Sequence, residues 1–360
     1  MSDEKTTVTL IAGGARYSAF TRAAVSYSAN QAVRAFAFTV TDATDAMDEQ
    51  WNFMPGTPVT VLANGQLLVT GYINRMVPSF DANNHTVEIS GTSKGRDSVK
   101  SAAEHDKGEW RNKTPLQIAQ ELDKQGVGFT SDIQQKPFEY ARLHPNETVF
   151  EAVERMTRRQ PMLLQGMPDG SIKMTKGGSA GSNSPLMEGI NILAGSAAFD
   201  DGDQHSEYKV KGQRVYGTDK KSLQIVATEK DPSVKRHLPK HIHQESDIDE
   251  QTAKDRARHH KNRQQGESVT AQIKSQSWFD RGGQLWQANG LVYVQSRVLK
   301  LSQQMLSKSV SLTQDESGSF ATLSLVLPQA FDGEGTGMGG GGAGSGAQSP
   351  WKDFAQPTDL

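Results

Sequence analysis

The sequence predicts a mainly β protein with an α+β insert. Two small antiparallel β-barrel-like domains flank a helix–strand–helix–hairpin module, and a flexible Gly-rich C-terminal tail follows. Three observations carry this expectation. Apolar and polar residues alternate through the first ninety-odd positions and again from Glu207 onward, the period-two signature of half-buried strands. Two segments in between carry helix start signals. The end, GEGTGMGGGGAGSGAQSPWKDFAQPTDL, has too little apolar content to bury a core and reads as a tether.

The first domain is expected over residues 1–95. TTVTLIAG alternates at Val8 and Leu10, and FAFTV follows at Phe36 to Val40. In PGTPVTVLANGQLLVTGYINRMV, Asn64-Gly65 separates two alternating runs. Asn-Gly is the strongest short hairpin signal, because both residues accept the positive φ of a type I′ turn. A second hairpin runs from Tyr72–Val77 through Asp81-Ala82-Asn83-Asn84 into HTVEISG.

Residues 96–113 are charged and irregular and read as a connector. The insert follows at 114–176. In KTPLQIAQELDKQG, Thr114 suits an N-cap, Pro115 the first helical position and Gln117 the capping box. Leu116, Ala119 and Leu122 would share the buried face, with the helix ending at Gly126. A second helix starts at Thr148 with Glu151 in the capping box and Val149, Val153 and Met156 inward; Pro161 marks its end. PMLLQG and SIKMTK then form a hairpin about Pro168-Asp169-Gly170.

KGGSAGSNSP, 176–185, has linker composition. The second β domain is expected over 177–330. EYKVKGQRV and SLQIVAT supply strands, DEQTAKDRARHHKNRQQ a helix at 249–265 that is polar nearly all round, and SVTAQIKS, GLVYVQSRVLKLSQQM, SVSLTQ and ATLSLVLP further strands. The tail takes up 331–360. PGTPVTVLANGQLLVTGYINRM and RGGQLWQANGLVYVQSRVLKL run in parallel, with Asn64-Gly65 answering Asn289-Gly290. Two readings are open: any two β-hairpins look alike, or the chain holds an internal repeat, two similar β domains with the α+β module between them.

Composition narrows the function. The formal charge of −2 offers no basic field to hold nucleic acid. No apolar run approaches the ~20 residues of a membrane span. No stable nucleic-acid or membrane binding is therefore expected. The start, MSDEKTTVTL, is acidic and polar and does not read as a secretory signal, so folding in the cytoplasm is expected. The absence of cysteine removes disulfides, thiol catalysis and Cys-type metal sites.

The one cluster that resembles a ligand set is HLPKHIH with RARHHKNR. His237, His241, His243, His259 and His260 lie among Glu245, Asp247, Asp249, Glu250 and Asp255. His241 and His243 would share a strand face, and Glu245 or Asp247 could complete a zinc site. Against this, no HExxH occurs. His259 and His260 would point about 100° apart on a helix, and Arg256, Arg258, Lys261 and Arg263 surround them. A metalloenzyme reading is set aside in favour of a solvated loop and helix, whose histidines could tune a protein contact near neutral pH. No G-x-S-x-G elbow or Walker loop is present. Glu147 and Glu151 read as helix-start residues rather than a catalytic pair. Trp278, Phe279 and Trp286, around a Gly-Gly turn, read as core or interface residues. No catalytic, cofactor or metal residue is assigned, and no cofactor is implied.

The order and spacing of several weak motifs resemble a known family. PGTPVTVLANGQLLVTGYI is similar to its opening barrel. NKTPLQIAQEL and HPNETVFEAVERMTRRQPMLLQGMPDGSIKMTK resemble its insert. The run from DEQTAKDRARHHKNR to SWFDRGGQLWQANGLVYV resembles its later helix-then-barrel segment. The family is the baseplate hub protein of Mu-like contractile-tailed bacteriophages, the gpP-type tail proteins, and the resemblance covers most of residues 5–330. It implies a non-enzymatic homotrimeric ring in the virion tail that joins the sixfold tail tube to the threefold central spike. The partners it implies are the spike protein, the tube or tube initiator and other baseplate proteins, with assembly in the host bacterial cytoplasm. The alternative is a tail-associated protein that binds or degrades peptidoglycan through residues 114–176. The tail after Phe331 and residues 231–248 have no clear counterpart in the family pattern.

Overall fold

The computed structural model describes residues 6–41, 53–82, 85–158, 162–212, 224–243 and 250–331. The chain opens with seven strands: β1 (Val8–Ala12), β2 (Ala15–Tyr17), β3 (Arg22–Ser28), β4 (Ala35–Thr41), β5 (Pro58–Ala63), β6 (Gln66–Phe80) and β7 (His85–Ser93). The β5–β6 hairpin forms where the sequence places it. Asn64 and Gly65 sit at φ +46° and +80°, the two positive values a type I′ turn needs. Val59, Val61 and Val69 alternate inward from it. β6 and β7 pair as the second expected hairpin, although Asn83 and Asn84 of its turn lie outside the described residues.

The stretch expected to be an irregular connector carries structure of its own. It holds α1 (Gly95–Lys100) and β8 (Glu109–Trp110), and Trp110 is buried in the core of the insert beside Ile118, Val153 and Ile172. The insert continues with α2 (Pro115–Leu122), β9 (Phe129–Ser131), β10 (Ala141–Arg142), α3 (Val149–Thr157), β11 (Leu163–Gly166) and β12 (Ile172–Thr175). Both helices start on the expected capping boxes, Thr114 with Gln117 and Thr148 with Glu151. α2 stops at Leu122, before the expected end at Gly126. The Asp123 carboxylate accepts the N–H groups of Val127 and Gly128 at 3.0 and 2.7 Å, and this folds the chain back one turn early. Leu116 is only partly buried, and Ile118 takes its expected place in the core. α3 ends at Thr157; Pro161 lies outside the described residues. β11 and β12 form the expected hairpin, extended by β9 parallel to β12.

The last part contains β13 (Leu186–Met187), β14 (Ile192–Phe199), β15 (Glu207–Gly212), β16 (Ile225–Lys230), β17 (Pro239–His243), α4 (Glu250–Glu267), β18 (Val269–Gln276), β19 (Leu291–Ser296), β20 (Leu301–Asp315) and β21 (Gly318–Val326). A single 3-10 turn, Pro328–Phe331, follows. β16, β15 and β17 make a separate sheet in that order. The polar helix α4 covers it, burying Ala253 and Ala257 against Val210, Ile225 and Ala227. Near its end Gly266 lets the 3-10 turn close in. A Cβ there would stand 2.1 Å from the backbone nitrogen of Ala330. The Gly-rich tail beyond Phe331 is outside the described residues.

The two β units are not separate barrels. They join in one 13-stranded sheet, ordered β14-β18-β21-β20-β3-β4-β7-β6-β5-β1-β2 with β19 and β13 branching from β20, and among the described residues it stays open. Their cores merge as well: Val25, Tyr27, Phe38 and Ile73 belong to the same cluster as Ile273, Trp278, Trp286 and Leu312.

The internal repeat is present, but in a different register from the one the Asn-Gly pairs suggest. Asn289-Gly290 precedes β19 and is not a hairpin turn; Asn289 alone has positive φ. The true counterparts are β5–β6–β7 and β19–β20–β21, whose strands have 6, 15 and 9 residues in both copies. Each long strand carries a one-residue bulge, at Asn74 between Ile73 and Arg75 and at Lys308 between Ser307 and Ser309. The neighbours match too. The order β3-β4-β7-β6-β5 in the first unit corresponds to β14-β18-β21-β20-β19 in the second; the next strand differs, β1 being antiparallel to β5 and β13 parallel to β19.

Candidate functional site

The histidine cluster does not converge. His237, His241 and His243 are exposed, the last two on one face of β17, while Ile242 between them packs inward. Glu245, Asp247 and Asp249 lie outside the described residues. His259 and His260 sit on α4 with ring centroids 6.2 Å apart and planes at 63°. His260 is held down to about 4, by burial first and then by the positive charge of Arg256, His259, Lys240 and Arg263. Among the described residues no group of three or more His, Asp or Glu side chains is placed to hold a metal ion. The paired carboxylates of the insert are engaged structurally. Glu151 accepts the N–H of Thr148 at 2.9 Å, and Glu147 accepts from Arg155 Nη2 at 2.8 Å and from the N–H of His144 at 3.0 Å.

The organised polar residues lie instead where the three parts of the chain meet. Arg34, on the loop before β4, is 7% exposed. Its Nε donates to the Gly166 carbonyl of the insert at 2.9 Å, and its Nη1 to the Leu68 carbonyl of β6 at 3.1 Å. The guanidinium lies 4.4 Å from the centre of the Tyr27 ring. Burial lowers Arg34 to about 10, with Tyr27 and Asp169 acting in the opposite direction. Burial likewise raises Tyr27 to about 12, opposed by Arg34. The Tyr27 hydroxyl donates to the carbonyl of Trp286, which ties the first β unit to the second. Trp278 donates from Nε1 to the Thr313 carbonyl at 2.9 Å. Trp278 and Trp286 are thus core residues, and Phe279 is half-buried.

Asn289 completes the joint. It is fully buried at φ +65°. Its Nδ2 donates to the Lys176 carbonyl at 2.8 Å and to Ser179 Oγ at 3.1 Å, and its Oδ1 accepts the N–H of Gly178 at 2.8 Å. Gln165 of β11 donates to the Ala288 carbonyl at 3.1 Å. Sequence reasoning missed Arg34, Tyr27 and Asn289 in these roles. A lone arginine or tyrosine has no local signature, and Asn289 looks like an ordinary turn residue.

The junction of the two β units is itself a strand pairing. β20 runs antiparallel to β3, with Val310 opposite Tyr27, Leu312 opposite Val25 and Gln314 opposite Ala23. Val25, Tyr27, Val310 and Leu312 are all under 5% exposed. The sheet face turned away from this core carries small polar side chains. A hollow of about 510 Å3 on it is lined by Ser196, Ala198, Thr270, Gln272, Ser309 and Ser324 among others. Two sheet edges carry exposed apolar groups. They are the end of β6 with Phe80, 84% exposed, and β14 with Leu193 and Phe199, 51% and 57% exposed.

Three family models match consecutive parts of the chain. Residues 7–93 match the N-terminal domain of Mu phage baseplate assembly protein GpP-like proteins. Residues 96–176 match the second domain of gp44-like baseplate hub proteins. Residues 249–334 match the fourth domain of Mu phage baseplate assembly protein GpP. The chain is 28% identical over 341 residues to the baseplate hub protein gp44 of Escherichia phage Mu, covering 90% of this chain and 89% of the relative. Its fold superposes with a TM-score of 0.80 on the 43 kDa tail protein of prophage MuSo2 from Shewanella oneidensis, at 26% identity, covering 91% of this chain and 99% of the other. A type VI secretion system component of E. coli, c3393, shares the fold at a TM-score of 0.57 and 10% identity, over 88% and 76% of the two chains. The chain belongs to the family of Mu-like phage baseplate hub proteins and is a component of the phage tail.

Proposed function

We propose that this hub is a non-enzymatic homotrimeric ring that joins the sixfold tail tube to the threefold central spike, assembled in the cytoplasm of the host bacterium. The observation that carries the reading is the duplication. One chain holds two β units in which five strands follow the same order and the central three share their lengths and bulge position. Three such chains present six near-equivalent units on one side while remaining threefold overall. A closed ring needs two complementary surfaces on each subunit, and the two exposed edges fall in different units. The hollow on the sheet, where serine, threonine and alanine predominate beside Lys308, Leu325 and Val326, suits the wall of a channel, because short side chains leave the passage open.

Sedimentation velocity over a concentration series, with electron microscopy of the same sample, tests this. The expected result is a species of three times the 39.2 kDa chain mass, with a central opening. A protein that stays monomeric at every concentration, alone and when co-expressed with the spike and tube proteins, refutes it.

A further inference from the structure

We infer that the second half of β6 in one copy pairs edge to edge with β14 of a second copy of this chain, in the register of the internal β20–β3 junction. The inference rests on the ring reading above and gives it specific residues.

The internal junction supplies the template. Superposing the bulges at Asn74 and Lys308 places Met76, opposite Ile89, on Val310, opposite Leu323. In the adjoining strands, Phe38 opposite Ile89 corresponds to Ile273 opposite Leu323. Ala23 opposite Phe38 then corresponds to Gly195 opposite Ile273, and Val25 to Ala197. So β3 matches β14, and β20 matches β6. Within the chain, β20 meets β3. Among the described residues, β14 has a strand partner only in β18, and β6 beyond Ile73 only in β7. The half-junctions left over are the two halves of the one already formed.

The transferred register sets Arg75 against Asp200, Met76 against Phe199, Val77 against Ala198, Pro78 against Ala197, Ser79 against Ser196 and Phe80 against Gly195. The chemistry of these pairs fits. Arg75 and Asp200 are both exposed and opposite in charge. Phe80, the most exposed large apolar side chain described, falls over a glycine, and Phe199 takes the place that Tyr27 fills in the internal junction. Cross-strand pairs of this kind are the unit of sheet stabilisation. Pro78 takes the place of Leu312 and has no N–H, so this ladder is shorter by one hydrogen bond. A proline on an open edge also blocks indiscriminate strand pairing, and leaves recognition to the side chains.

The chain lacks cysteine, which makes cross-linking direct. The N–H of Ala29 donates to the Lys308 carbonyl, so Ser26 and Ser311 form a non-hydrogen-bonded pair, where Cβ atoms come closest. Val77 and Ala198 are their counterparts. The experiment oxidises the double variant V77C/A198C, with S26C/S311C as the internal control. Reductant-sensitive dimers and trimers from V77C/A198C, and an intrachain disulfide in the control, support the pairing. A trimer by sedimentation in which the control closes but V77C/A198C gives no cross-link overturns this register and leaves the ring standing. A monomer at every concentration overturns both. Arg75→Glu and Asp200→Arg provide an independent readout. Each alone is expected to raise the concentration for trimer formation at least tenfold, and the combined R75E/D200R variant to restore it. Failure of the double variant to recover also counts against the pairing.

Discussion

Replacing Arg34 by methionine should uncouple the insert from the first β unit. The side chain spans both, through Gly166 and Leu68, and lies over Tyr27. Hydrogen bonds from a charged donor contribute about 1.5–3 kcal/mol each, and a desolvated cation–π contact about 2 kcal/mol. Opposing these is the cost of burying the charge. A pKa of about 10 against the usual 12.5, already net of the opposing pull of Tyr27 and Asp169, puts that cost at roughly 3 kcal/mol or more, which methionine removes. Methionine also leaves two buried carbonyls without a donor. The net expected loss is about 3 kcal/mol, well above the median effect of a substitution. Urea unfolding reports it with spatial resolution, because Trp110 lies in the core of the insert and Trp278 and Trp286 in that of the β units. Single-tryptophan versions are expected to unfold together with Arg34 present and at separate midpoints with Arg34→Met. Arg34→Lys should fall between, since one ammonium lacks the planar fork that reaches two carbonyls. An Arg34→Met protein with unchanged, coincident midpoints would show that the charge does not hold the parts together.

Asn289 separates conformational from hydrogen-bonding effects. Asn289→Gly keeps the positive φ but loses the contacts to Lys176, Ser179 and Gly178, while Asn289→Ala loses both, so alanine should be less stable than glycine by about 1–2 kcal/mol in thermal unfolding. Equal stability would mean that the left-handed backbone carries no cost here. His260 makes stability depend on acid. Its folded pKa of about 4 lies below the unfolded value of 6.5, so the unfolded state binds the proton first and stability falls as pH drops from about 6.5 towards 4. Because the imidazole is only partly buried, the loss is on the order of 1–2 kcal/mol after allowance for solvent screening. His260→Gln should flatten that part of the pH–stability curve, and an unchanged slope would exclude His260 as its origin.

Local structure was legible in the sequence wherever local rules suffice. The capping boxes at Thr114 and Thr148, the Asn64-Gly65 hairpin, the β11–β12 hairpin and the polar helix α4 each follow from a few adjacent residues and the backbone geometry they favour. The order of these elements was enough to point to the hub family. The short strands β2, β8 and β13 escaped the reading, and β17 (PKHIH) is a strand beside β15 where a solvated loop is expected. Two longer strands escaped as well, β3 (RAAVSYS) and β14 (ILAGSAAF). Both are rich in alanine, serine or glycine, which have weak strand preference of their own, and strand formation depends on what lies alongside. They are the equivalent strands of the two units, and one of them forms the internal junction. Tertiary structure also decided the register of the repeat, since two Asn-Gly pairs look alike until their φ values separate a hairpin turn from a buried loop. The same holds for Arg34, Tyr27 and Asn289. Their partners lie up to 259 residues away in the sequence, as for Tyr27 and Trp286, and only the folded chain brings a buried donor to the carbonyl it must satisfy.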